Sequence, residues 1–114
     1  MHEMAIISDL MDICNDYAKK HNAKTITKIE LDIGRLSGVE PHYLNECFMA
    51  FQSQDEMFNK TSLDITISDV IIKCNKCEKN STLKQNEFKC EHCQSIDFVV
   101  ISGEEMIIKT IHMQ

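Results

Sequence analysis

The sequence predicts an α/β body whose last strand returns only after an inserted, cysteine-rich lobe. Three observations point there. Two segments repeat apolar residues at helical spacing, and others alternate apolar with polar residues as strands do. Between them lies a Lys- and Asn-rich stretch holding four cysteines in two Cys-x-x-Cys pairs. At 114 residues, 43% hydrophobic and 26% charged, the chain suits one modest core and not wholesale disorder. With no Trp, aliphatic residues and Met must fill that core.

From Met4 to Lys20 the apolar residues Ile7, Leu10, Met11, Cys14, Tyr17 and Ala18 recur on one side, with Asp9, Asp12, Asp16 and Lys19 on the other. His21-Asn22-Ala23 ends this helix. Thr27, Ile29, Leu31 and Ile33 alternate with Lys28, Glu30 and Asp32 as a half-buried strand closed by Gly34. A second helix starts near Ser37-Gly38-Val39-Glu40-Pro41. Ser37 with Glu40 fits a capping box, whereas Pro41 at the first helical position makes Glu40 the cap. Leu44, Cys47, Phe48 and Phe51 form its buried stripe. Leu63, Ile65 and Ile67 alternate as a second strand that continues into Val70-Ile71-Ile72. Phe98–Ile101 and Glu105–Ile111 read as strands on either side of Ser102-Gly103. The last is nearly continuous in apolar residues, so it is expected inside a sheet, covered on both faces.

These readings assign residues 1–69 and 103–114 to the α/β body and residues 70–102 to the lobe. The lobe holds five Lys against four acids, whereas the body is net −7 in a chain of net −6. An acidic body opposes non-specific binding to a phosphate backbone. No apolar run approaches the ~18 residues needed to span a bilayer, and Met1–Asp12 lacks the basic and apolar regions of a secretory signal. The expectation is a soluble, cytoplasmic protein that binds neither nucleic acid nor membrane.

Cys74-Asn-Lys-Cys77 and Cys90-Glu-His-Cys93 are separated by twelve residues. Two tight turns joined by a hairpin-length connection place four sulfurs at the corners of a tetrahedron, the geometry of structural Zn(II). Each pair closes locally at little entropic cost. The segment from Lys73 to Asp97 is too poor in apolar residues to build a core, so the metal is expected to hold it together. Structural zinc contributes roughly 10–16 kcal/mol in finger peptides. A rubredoxin-like iron site would bring Pro-Gly turns, which are absent. Four thiolates leave no open position, which suits a structural rather than a hydrolytic centre. His92, inside the second turn, is either a loop residue donating to a neighbouring sulfur or a substitute ligand. Cys14 and Cys47 lie on apolar helix faces and read as small core residues. His21, His42 and His112 read as surface or capping residues.

The amino terminus carries a second metal signal. His is too bulky at position 2 to favour removal of Met1. The Met1 amine and the His2 amide nitrogen close a five-membered chelate ring, and the His2 imidazole, through Nδ1, closes a six-membered ring on the same amide. Nitrogen donors so arranged suit Ni(II) or Cu(II). The Glu3 carboxylate would complete the shell, with Glu40 as a further candidate oxygen donor.

Met1-His2-Glu3-Met4, then Gly34-Arg35-Leu36-Ser37-Gly38-Val39 entering a helix, then the paired cysteines, then Gly103-Glu104-Glu105-Met106-Ile107-Ile108, together resemble the HypA/HybF family of hydrogenase nickel-incorporation proteins. The resemblance runs over essentially the whole chain. It implies an α/β (α+β) fold: a small mixed three-stranded sheet with two helices, plus an inserted zinc-ribbon lobe. It implies a non-enzymatic metallochaperone that carries Ni(II) as cargo for [NiFe]-hydrogenase maturation. The nickel ligand of the family maps onto His2, with Met1 and Glu3 beside it, and the zinc ligands onto Cys74, Cys77, Cys90 and Cys93. Implied partners are a HypB-type GTPase, the [NiFe]-hydrogenase large subunit and, in some related bacteria, the UreE/urease system; the oligomeric state stays open, a homodimer included. Some members carry a histidine at each Cys-x-x-Cys, and here the first pair has none. Exchange of two thiolates for two imidazoles is thereby in doubt.

The alternative from another class is a zinc-ribbon nucleic-acid- or protein-binding module, against which the acidic body and scarce aromatics weigh. No Ser-His-Asp or Cys-His arrangement supports an enzyme, and a thioredoxin-like activity would need one reactive pair near a strand–helix junction.

Overall fold

The computed structural model describes residues 2–83 and 87–114. The elements run α1 (Glu3–Lys20), β1 (Ile26–Gly34), α2 (Pro41–Gln52), β2 (Ser62–Ser68), β3 (Ile71–Cys74), β4 (Asn80–Thr82), β5 (Phe98–Ser102) and β6 (Met106–Met113). They form two compact units, one of Met1–Asp32, Val39–Thr66 and Ile107–Gln114, the other of Ile33–Gly38 and Ile67–Met106.

In the first unit, α1 buries Glu3, Ile7, Leu10, Cys14 and Ala18, a stripe spaced three and four residues apart. Tyr17, expected on that stripe, is exposed. Its C-terminus is a Schellman turn: Asn22 takes φ 56° while Ala23 N–H reaches Ala18 O at 2.8 Å and Asn22 N–H reaches Lys19 O at 3.2 Å. Asn tolerates this left-handed conformation better than most residues, which is why His21-Asn22-Ala23 stops the helix.

For α2 the structure resolves the open question of the cap. Glu40 is the N-cap, its carboxylate accepting Tyr43 N–H at 2.7 Å, and Pro41 occupies the first turn. Leu44, Cys47 and Phe48 are buried below it.

The sheet has strand order β2-β1-β6. Ser62 and Asp64 of β2 meet Thr27 and Lys28 of β1 in the same chain direction, so this pair is parallel. Gln114 meets Thr25, and Thr110 meets Glu30, in opposite directions, so β6 is antiparallel to β1. The sheet is therefore mixed, as expected.

Two strand expectations are corrected. The apolar run of β6 does not lie inside the sheet: β6 is an edge strand, with Ile107 52% exposed. The centre belongs to β1, where Ile26, Ile29, Leu31 and Ile33 are buried. Apolar continuity signals opportunity for burial, but the order of strands decides which one is covered. Nor does the second strand continue into Val70-Ile71-Ile72. Asp69 and Val70 interrupt it, and β3 begins a separate sheet.

In the second unit, β3 pairs antiparallel with both β4 and β5, a bulge falling between Ile71 and Ile72. Val70, Ile72 and Leu83 form a small core joined by Phe98 and Val100. The lobe thus has apolar packing of its own, contrary to expectation. Those side chains come from the flanks of the Lys-rich segment, with Leu83 alone from within it.

The segment after β1 is sewn into this unit by backbone. Gly34 N–H reaches Glu105 O at 2.8 Å, Arg35 N–H reaches Ser68 O at 3.0 Å, and Leu36 N–H reaches Gly103 O at 2.8 Å. The Arg35 guanidinium donates to Leu83 O at 2.9 Å. A Cβ on Gly34 would stand 2.2 Å from Gly103 O, and Gly103 itself has φ 112°. Only glycine permits this backbone crossing.

Candidate metal centre

The two Cys-x-x-Cys turns are geometric copies. Glu78 N–H reaches Cys74 O at 3.0 Å and Gln94 N–H reaches Cys90 O at 2.9 Å. Cys74 N–H reaches Lys79 O at 3.0 Å and Cys90 N–H reaches Ser95 O at 2.8 Å. Glu78 and Gln94 share the left-handed conformation, with φ 63° and 66°. Each turn is thus closed by local bonds of its own that aim its two thiols inward.

All four sulfurs lie within 4.8 Å of one another, with Cys74 Sγ 3.5 Å from Cys93 Sγ and Cys77 Sγ 3.6 Å from Cys90 Sγ. Tetrahedral zinc with Zn–S of about 2.3 Å spaces its sulfurs about 3.8 Å apart. The cluster fits, and every cysteine is a free thiol. Cys74 and Cys90 are buried, Cys77 is half-buried and Cys93 is exposed. The N–H groups of Cys77 and Lys76, at 3.5 and 3.4 Å, hold the Cys74 thiol down at about 6. Cys90 is lowered likewise by the N–H groups of Cys93 and His92. The first cysteine of each turn is thus prepared as a thiolate, the form that binds metal.

His92 donates to the Cys90 sulfur through its backbone N–H, not through its imidazole. Its Nε2 lies 3.3 Å from Asn80 O and 3.7 Å from a Glu91 carboxylate oxygen, on the exposed side of the turn. Asn75 pins the far side, its Nδ2 donating to Asp97 Oδ1 at 2.9 Å.

At the amino terminus, Met1 lies outside the described residues. His2 is the N-cap of α1: its carbonyl accepts Ile6 N–H at 3.0 Å, its side chain makes no capping bond, and it is exposed. Glu3 is different. It begins the buried stripe of α1, is only 1% exposed, and its Oε2 accepts Glu40 N–H at 3.0 Å. That N–H holds the Glu3 carboxyl below its ordinary range. Glu40, the further candidate oxygen donor, uses its carboxylate to cap α2. Tyr43, which the sequence did not single out, borders this cluster: the Cys47 thiol, and more weakly the Glu3 charge, push its phenol up. The signal was its spacing of four residues from Cys47 on α2.

Cys14 and Cys47 are buried core residues, and His21 caps α1 with Nδ1 2.9 Å from Tyr17 O. His42 and His112 are exposed. No helix among the described residues is long and apolar enough to cross a membrane.

Fold and site define a class: a small α/β protein built on a mixed sheet, with a closed four-cysteine centre of zinc-ribbon type. The family model described as "Hydrogenase/urease nickel incorporation, metallochaperone, hypA" matches residues 1–113, and the chain belongs to this HypA family. Its members are metallochaperones, not enzymes. The chain is 34% identical over 114 residues to the hydrogenase maturation factor HypA of Campylobacter jejuni, covering all of both chains. It is 37% identical to that of Aquifex aeolicus, covering all of this chain and 98% of the relative. Among solved structures, the Ni metallochaperone HypA from Helicobacter pylori superposes with a TM-score of 0.70 at 26% identity, covering 99% of this chain and 97% of that one. A second HypA solution structure gives a TM-score of 0.75 at 26% identity, covering 100% and 97%.

Proposed function

We propose that this chain binds Ni(II) at its amino terminus and delivers it during maturation of [NiFe]-hydrogenase, while Cys74, Cys77, Cys90 and Cys93 hold a structural Zn(II). The nickel ligands are the Met1 amine, the His2 amide and imidazole, and the Glu3 carboxylate. Residues 1–69 and 103–114 act as the nickel-binding domain and residues 70–102 as the zinc lobe. The partners are a HypB-type GTPase and the hydrogenase large subunit, with UreE/urease as a second destination, and the work is done in the cytoplasm.

The observation that supports this reading most directly is His2, exposed at the start of α1 with an imidazole that plays no capping role. A carrier needs such access, because an acceptor's sulfur ligands must reach the ion for associative exchange. Nickel titration by calorimetry on untagged, zinc-loaded protein tests it, beside His2→Ala and a one-residue amino-terminal extension. The expected result is about one nickel per chain, lost in both variants. Unchanged binding in the variants would move the nickel site elsewhere and overturn the ligand assignment.

A further inference from the structure

β6 closes one side of its sheet, so its outer edge has no neighbouring strand among the described residues. An open edge offers a row of backbone donors and acceptors. Alongside it lies a cavity of about 410 Å³ between α1 and β6, walled by Ile13, Tyr17, Ile111 and Met113. Ile13 is 44% and Tyr17 48% exposed, side by side on the face of α1 that borders the trough. Among the described residues, the one formal charge in the lining is Lys109, with His21 in the same wall. Lys20 adds a second cation, its Nζ 5.7 Å from the Tyr17 ring centroid. An apolar trough with a basic rim stands out on a chain of net charge −6.

We propose that this trough and edge form a docking site for an extended segment of another protein, one that alternates apolar side chains and carries acidic residues at its flanks. The segment adds as a further strand beside β6: its backbone pairs with the open edge, alternate side chains fill the trough, and its acids meet Lys109 and Lys20. A helix would fill the trough but leave the edge groups unpaired. A second copy of this chain is disfavoured by charge, since a symmetric seam about the middle of β6 brings two Lys109 side chains together. The lysine that guards the edge against self-pairing, Lys109, also selects an acidic partner.

The test uses the full zinc-loaded chain and fluorescein-labelled ten-residue peptides of alternating Val and Thr. One peptide has Glu at both ends and another Lys. Two more are the Glu peptide N-methylated at odd or at even positions. Fluorescence polarisation at low salt should show the Lys-ended peptide binding about tenfold or more weakly than the Glu-ended one. Only one of the two methylation patterns should abolish binding, because a strand added at an edge uses alternate N–H groups. Lys109→Glu, an exposed substitution, should reverse the preference between Glu and Lys ends, and bound peptide should slow hydrogen exchange along β6. Equal binding of both ends, indifference to methylation, or no protection of β6 would overturn the proposal. So would β6 protection that rises with protein concentration without peptide, which would assign the edge to a second copy. The nickel titration does not involve these residues, so the two readings fail separately.

Discussion

The carboxylate of Glu3 accepts the backbone N–H of Glu40 at 3.0 Å, across 37 positions of sequence. Glu40 in turn spends its own carboxylate on Tyr43 N–H at 2.7 Å. The first residue of α1 therefore steadies the residue that starts α2, and the segment beside His2 is anchored at one end while His2 itself stays exposed. A metal that drew on the Glu3 carboxylate would be felt at the head of α2.

That link predicts an acid-side stability dependence. Glu3 is held below its ordinary value of 4.5, first by Glu40 N–H. A depressed carboxyl stabilises the fold above the unfolded value, and the benefit disappears as pH falls through the folded one. Urea unfolding of wild type should weaken below pH 4.5 more steeply than that of Glu3→Gln, which still offers Glu40 an acceptor oxygen. Glu3→Ala should be the least stable at neutral pH. Equal acid slopes in wild type and Glu3→Gln would refute the link.

Cys14 predicts the opposite limb. Burial pushes its thiol from 9.0 up to about 11. Between those values the unfolded thiol ionises while the folded one keeps its proton, so stability falls as pH rises. The loss should reach about 2–3 kcal/mol for a shift of this size. Cys14→Ala should lack this part of the alkaline slope, and iodoacetamide should modify Cys14 only after unfolding.

Gly34→Ala should cost about 3 kcal/mol or more, because the new methyl meets backbone and not a movable side chain. Gly103 O would lie 2.2 Å from the added Cβ. Thermal unfolding should register a drop on the order of 10 °C or more. Hydrogen exchange should show Leu36 N–H losing its protection, since its acceptor is the same Gly103 carbonyl.

Stripping zinc with a strong chelator should release one metal per chain and dissolve the two cysteine turns. The helical signal of α1 and α2 should survive, since their core residues belong to the first unit. Amide spectra should therefore change between Cys74 and Asp97 while Ile7, Leu10 and Leu44 stay put. Loss of helix on zinc removal would show that the first unit does not stand on its own packing.

What was readable in the sequence was mostly what is local. The cysteine turns close through bonds of four and five residues, so their spacing suffices to place the sulfurs. The helices followed from periodicity, and Cys14 and Cys47 fell in the core as expected. The burial of Glu3 is local too: four residues before Ile7, it sits on the apolar stripe. Long-range relations were not readable. Nothing near Gly34 announces Gly103, nothing near Glu3 announces Glu40, and an apolar run cannot say whether its strand will be central or outermost.

The likeness of the two cysteine turns hides a difference in depth. Cys74 and Cys90 are buried, whereas Cys93 stands in the open and Cys77 only partly shielded. The centre thus has a dry half and a wet half. Chelators and oxidants must begin at Cys93, and they meet the two buried cysteines, Cys74 and Cys90, last. Damage to such a site would proceed in a set order, one ligand at a time from the outside, with the ion still gripped by its inner pair after the outer one has gone.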